Sequence, residues 1–270
     1  MDENKTTKPQ SGQCHSPAGR WRFLWGLIVA APIAAAGYGL YWNMLADQVR
    51  DGIGGWAADR RAEGYQIDYG PVRVDGFPFL IRVVIPAPVV SKPGGERPWH
   101  WRGPALSVSA RPWAWTRTQV RAPGRHLVTV TMPGKTLHLD LTAGALDVSV
   151  DWGGLPAPPL QVRLRVKDVS YRSAPVAGLG RTTKSLAVHA ELTGGWPKIP
   201  DAAAMAQWRD NGGTVEIRSL AGRHGPLEMD GDGTLALDGD LQPLAAFSLG
   251  VRGYIEAVDG LRDAGVIKAR

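Results

Sequence analysis

Three hydrophobic patterns follow one another along the chain. Phe23 to Trp42, FLWGLIVAAPIAAAGYGLYW, holds no charged residue over 20 consecutive positions. A helix rising about 1.5 Å per residue needs about that length to cross roughly 30 Å of hydrocarbon. From Trp42 onward, Trp42, Leu45, Val49, Ile53 and Trp56 recur three and four apart, the spacing of one helix face. From Tyr65 the period falls to two. Val72, Val74, Phe77, Phe79, Ile81, Val83 and Ile85 alternate with polar or small residues, as half-buried strands do. Gly76-Phe77-Pro78-Phe79 interrupts the run, and Pro78, which cannot donate to a ladder, predicts an edge, a bulge or a tight bend there.

The alternation then repeats in strand-sized pieces. Ala105–Ala110, Leu127–Met132, Thr136–Leu141, Leu146–Trp152, Leu160–Val166 and Leu186–Leu192 are separated by Pro- and Gly-rich turns. Further runs cover 214–220, 227–229, 234–237 and 246–251, with short helices predicted over 201–210 and 256–264. Regular spacing with turn signals predicts an antiparallel, mainly β architecture. One strand face is apolar; the other carries Arg, Lys, Asp, His and Ser.

Charge gives the first run its direction. Lys5, Lys8, Arg20 and Arg22 precede it against Asp2 and Glu3, while Asp47, Arg50 and Asp51 follow in balance. The positive-inside bias predicts a cytoplasmic N-terminus and a remainder outside the cytoplasm. The anchor residues are then Phe23, Leu24, Trp25, Leu27, Ile28, Val29, Ile33, Tyr38, Leu40, Tyr41 and Trp42, with Trp and Tyr near both ends where amphipathic rings favour headgroups. A signal peptide cleaved near Ala34-Ala35-Ala36 is the competing reading. The apolar run continues past that site and exceeds a usual signal core of about 7 to 15 residues, which favours the anchor. The expected organisation is a polar cytoplasmic tail over 1–20, a transmembrane helix over 21–42, an amphipathic helix over 43–64 and a periplasmic β domain over 65–270. The amphipathic helix either lies along the outer leaflet or caps one end of the sheet; capping is the preferred expectation.

Composition removes several function classes. Net charge is +6 and its basic residues are scattered, which does not argue for nucleic acid. The single cysteine, Cys14, precedes the apolar run, so the β region has neither disulfide nor thiolate chemistry. His100, His126, His138, His189 and His224 are scattered, without a metal-ligand spacing. Asp230-Gly231-Asp232-Gly233 begins like a calcium loop, but Leu241 stands where a bidentate Glu is needed. There is no G-x-S-x-G elbow, phosphate loop or dinucleotide fingerprint. The expectation is a protein without catalytic, metal or cofactor site. Trp99 with Trp101, and Trp113 with Trp115, are paired indoles on strand faces. Arg97, Arg102, Arg111, Arg117, Arg121 and Arg125 interleave with them, suited to anionic headgroups or to a solvated face.

The order of a basic tail, one apolar segment, an amphipathic helix, Gly76-Phe77-Pro78-Phe79, serial strands and the late GTLALDGDLQPLAAFSLGVRGYIEAVDGLRDAGVI resembles bacterial domain-of-unknown-function family 2125. The likeness spans roughly residues 20 to 268. More distantly it is similar to AsmA-like envelope proteins. That resemblance implies an inner-membrane anchor, a periplasmic β-sheet curved into a groove- or taco-like form with short flanking helices, and a role in lipid transport or envelope homeostasis. It implies no catalytic residues. The expected partners are the membrane, a lipid ligand, or other envelope proteins bound by a non-catalytic scaffold. The resemblance also implies a further strand beyond Arg270, so that the last strand here is expected to be left as an edge.

Overall fold

The computed structural model describes residues 18–95, 97–153, 159–173, 176–197 and 202–267, with side chains from Ala30 onward. The chain divides into two compact units between Leu45 and Ala46.

Helix α1 runs without interruption from Ala18 to Ala62, through Pro32 and Gly52, Gly54 and Gly55. The apolar run and the helical stripe, which share Trp42, therefore lie on one continuous helix of 45 residues. The apolar run lies within α1, but only Ala30 to Trp42 of it has described side chains, fewer than a crossing needs. Among the described residues, no helix is long and apolar enough to cross a membrane. In the second unit the inward stripe of α1 is Ala46, Val49, Ile53 and Ala57. Trp56 lies at the margin of this face, 53% exposed, while its neighbour Ala57 is buried.

Most of the described residues after α1 form one open antiparallel sheet of 14 strands. The chain makes four passes that are each broken in two: β1 (Gln66–Asp68) with β2 (Arg73–Asp75), β3 (Ile81–Ile85) with β4 (Val89–Lys92), β5 (Trp99–Arg102) with β6 (Leu106–Arg111), and β7 (Ala114–Arg121) with β8 (Gly124–Met132). The long β9 (Lys135–Asp151) pairs with both halves of the fourth pass, and β10 (Leu160–Tyr171), β11 (Thr182–Leu192), β12 (Val215–His224), β13 (Leu227–Leu237) and β14 (Pro243–Arg252) follow in order. Every pass pairs with the next, so the topology is an up-and-down meander. Helices α2 (Ala202–Asp210) and α3 (Tyr254–Asp263) complete the described elements. The predicted N-cap of α2, Asp201, lies outside the described residues.

The breaks fall in a line. Pro86 to Pro88, Gly103 to Ala105 and Ala122-Pro123 separate the halves of neighbouring passes. Across β7–β8 and β9 the register slips by one residue at Ala122-Pro123, where Ala122 N–H reaches the Leu146 carbonyl. Next to it, Gly144 and Asp168 drop out of the β9–β10 ladder, Asp168 with φ +49°, and β11 bulges at Lys184. Proline lacks the ladder donor, and a bulge bends its strand and adds twist. Small backbones meet along this line: a Cβ on Gly144 would lie 3.2 Å from that of Asp168. Ala122, Ala143 and Val169 beside it are among the most buried residues.

Phe77 and Phe79 do not continue a strand. Gly76 to Leu80 form the β2–β3 turn, closed by Leu80 N–H on the Gly76 carbonyl at 2.9 Å, and both rings are exposed. Pro78 marks the tight bend expected there. Likewise Trp113 sits in the β6–β7 turn rather than on a strand face with Trp115.

Gly76 has φ +104°, and a Cβ there would lie 2.6 Å from the Leu80 carbonyl oxygen. Gly76→Ala should lower unfolding free energy by well over 1 kcal/mol, since left-handed strain of about 1–2 kcal/mol adds to a backbone clash. Gly134→Ala, also at positive φ but with open space around it, should show the conformational cost alone. Urea denaturation of both variants measures the difference.

Candidate functional site

Strand registers put apolar residues on one face from side to side of the sheet. Val83, Val108, Val120, Val148, Leu164, Val188 and Leu220 stand opposite one another in successive strands. Their neighbours in chain, Arg82, Ser109, Gln119, Ser149, Arg163, His189 and Ser219, form the matching polar row on the other face. In the apolar row only Val83 is fully buried; the others are half-buried. Among the described residues no large side chain falls below 2% exposure. A sheet face is normally sealed by a second layer. Here the described second layer over part of that face is the stretch of α1 beyond Ala46.

Where α1 crosses, the seal is incomplete. A cavity of about 390 Å³ lies between Val49, Gly52, Ile53 and Trp56 of α1 and Ile67, Ile85, Val90, Trp101 and Leu106 of the sheet, with Asp68, Tyr69 and Pro88 at its wall. That volume is within the range of about 300–1,000 Å³ typical of small-molecule sites. The sheet residues come from both sides of the line of breaks. A Cβ on Gly52 would meet nothing within 4 Å, so that glycine leaves space rather than permitting a close contact. Trp101 is held as a wall by stacking on His126, with ring centroids 6.2 Å apart. His126, 6% exposed, donates its Nε2–H to the Ala122 carbonyl at 2.9 Å, which fixes its ring. On the same strand, Trp99 meets Tyr65 edge to face, and Lys92 Nζ lies 4.7 Å from the Tyr65 ring centre.

The opposite face is an ion-pair ladder. Arg117 pairs with Asp151, Arg121 with Asp147 and Arg125 with Asp140, each at 2.7–2.9 Å. Arg172 also approaches Asp140, at 3.6 Å. The Arg125 guanidinium donates to both Asp140 oxygens and holds that carboxyl below the ordinary range; partial burial opposes this, and the charges of Arg125 and Arg172 reinforce it. Asp151 is lowered by its hydrogen bond from Arg117, and Glu228 by that from Arg223. Three of the arginines singled out in the sequence are thus ladder members.

The anchor residues fall in α1. Ile33, Leu40 and Tyr41 are exposed, Tyr38 is half-buried 6.3 Å from the Tyr41 ring, and Trp42 is buried. Phe23 to Val29 lie in the part of α1 whose side chains are outside the described residues. Gly76, Phe77, Pro78 and Phe79 sit at the end of β3 away from Ile85 and the cavity. No group of three or more His, Cys, Asp or Glu suited to a metal occurs among the described residues. His126 and Gly52 were not singled out by sequence; a lone histidine and a mid-helix glycine carry no spacing signal. A second apolar surface is β14, an edge strand exposed along its whole length, with Phe247, Leu249 and Val251 on one face.

The class of protein defined by this arrangement is a single-layer antiparallel open sheet with a helix over one part of its apolar face. The chain belongs to the family described as "Uncharacterized protein conserved in bacteria (DUF2125)", whose model matches residues 42–176 and 149–270. No curated protein and no solved structure matches the chain.

The lowered carboxyls set an acid limb of stability. A group whose folded pKa lies below its unfolded value stabilises the fold above the unfolded value, and that contribution is lost as pH falls through the folded one. The urea midpoint should therefore drop as pH falls below about 4, the ordinary Asp range. Asp140→Asn, which removes one such group, should show a shallower drop. An unchanged acid limb would assign the loss to other carboxyls.

Proposed function

We propose that this chain is a non-catalytic, single-pass protein of the bacterial inner membrane, its N-terminus cytoplasmic and its sheet periplasmic, that holds a lipid acyl chain against the apolar face. The observation that carries the reading is the cavity of about 390 Å³ between α1 and the sheet, whose wall is almost wholly aliphatic and aromatic. Uncovered apolar surface on a folded unit usually marks a binding site. The line of breaks gives the physical means for the sheet to curve around such a ligand, because aligned bulges bend neighbouring strands together. The uncharged run Phe23–Trp42 and the basic residues before it support the anchor and its direction. The AsmA-like resemblance expected from the sequence would agree with a lipid ligand. A second reading, a scaffold for other envelope proteins, is favoured by the exposed edge β14, which offers an unpaired backbone ladder to another chain.

The lipid reading is tested in membranes fed a phospholipid carrying a diazirine on its acyl tail. After irradiation, the full-length protein should carry lipid adducts on the peptide covering Val89–Arg102 as well as in the apolar run. Gly52→Leu, which projects into the cavity, should reduce the Val89–Arg102 adducts at least about tenfold, equivalent to roughly 1.4 kcal/mol. Its helix should gain roughly 0.5–1 kcal/mol, so the loss would not reflect unfolding. Adducts confined to Phe23–Trp42 would contradict the reading. Direction is checked separately: alkaline phosphatase fused after Ala62 should be active, and a green fluorescent protein fused there by the general secretory route should be dark.

A further inference from the structure

We infer that one end of the sheet, rimmed by aromatic side chains, docks on a phospholipid bilayer. The registers bring these side chains together from distant parts of the sequence. Ile81 opposite Ala110 sets the β2–β3 turn beside the β6–β7 turn. Arg117 and Gln161, both opposite Asp151, place the end of β9 next to them, and Leu160 opposite Leu192 adds the end of β11. Phe77, Phe79, Trp113, Trp115, Trp152 and Trp196 therefore share one end of the meander, and they are between 38% and 72% exposed.

Their chemistry fits a bilayer interface. Four of the six are indoles, which combine an apolar body with an N–H donor and concentrate at the headgroup level. The described residues of these turns, 76–80, 111–116, 152–153 and 193–197, include one charged side chain, Arg111. Asp210 of α2 and Asp238 and Asp240 of the β13–β14 turn stand farther along the same end, which confines the aromatic surface to the side between β2 and β11. A basic residue near anionic lipid contributes attraction where an acid would repel. The rings sit on separate short turns at the ends of a rigid ladder. Trp196 is braced edge to face against Trp208, 5.4 Å away, and Trp208 donates its Nε1–H to the Thr193 carbonyl at 2.7 Å. Between Trp152 and Trp196 lies a recess of about 350 Å³ walled by Pro159, Leu160 and Leu192. The six rings are spread over separate ends of the strands rather than gathered in the recess of about 660 Å³ beside Leu80, Arg111 and Ala114 or along the short edge strand β2, so the bilayer is the partner they fit in preference to a peptide.

The full-length chain in a Cys14→Ser background, reconstituted in phosphatidylcholine–phosphatidylglycerol vesicles, provides the test. Single cysteines replace Trp113, Trp196 or, as control, Lys135 in the turn at the opposite end of the sheet, and carry an environment-sensitive fluorophore. Lipids spin-labelled near the headgroup should quench the probe at 113 and at 196 and leave that at 135 unquenched. The apolar run brings all three probes to the same vesicle, so it cannot create that difference. Phe77→Ser with Phe79→Ser should diminish quenching at 113. Equal quenching at all three positions, or none at 113 and 196, overturns the inference. Protection of 113 and 196 from quenching only when detergent-solubilised membrane proteins are added would overturn it in favour of a protein partner.

Discussion

A sheet with one apolar face must put something against that face, and this chain supplies little to do it with. Its three described helices include one, α1, that crosses the face, and the strands form a single layer. The ladder of backbone hydrogen bonds fixes the sheet whatever covers it, because each pass pairs with its sequence neighbour. The apolar row from Val83 to Leu220 then remains mostly half-buried. Much else among the described residues depends on this shortage of cover: the cavity beneath α1, the absence of deeply buried large side chains, and the concentration of buried residues among alanines.

The aligned breaks are the counterpart of that shortage. A flat single layer would leave its apolar face open, whereas strands interrupted at matching heights can turn that face inward. Proline and glycine do this in the first four passes; in β9 to β11 the same result comes from Gly144, the left-handed Asp168 and the bulge at Lys184. Lys184 also donates to the Asp168 carboxylate at 3.3 Å, tying adjacent strands across the irregularity. The polar face needs no such device. Its Arg–Asp pairs are exposed, and their worth lies less in stability than in keeping that face solvated.

Much of the β architecture was legible because period-two alternation survives in most strands, and turn residues bound them. The helical stripe was legible too, except at its alanines. Ala46 and Ala57 carry too little side chain to count in a periodicity argument, yet they are buried while their large neighbours Leu45 and Trp56 are not. At Phe77 and Phe79 the two-residue spacing continues through a turn closed by Gly76 and Leu80, and Pro78 was the signal that marked the bend. The cavity and the aromatic end were not legible at all. Trp101 and Val49 line one cavity only because α1 lies on the sheet, and Phe79 and Trp196 come to one end of it only through strand registers, where a one-residue slip would send each strand's side chains to the other face.

The central claim is that the apolar face takes up acyl chains. A nitroxide on Val188→Cys, midway across the apolar row, reads this directly through its accessibility to oxygen and to a water-soluble nickel chelate. With phospholipid supplied to the full-length protein, oxygen accessibility should rise and nickel accessibility should fall relative to the delipidated state. Accessibilities that stay the same with and without lipid would contradict the account.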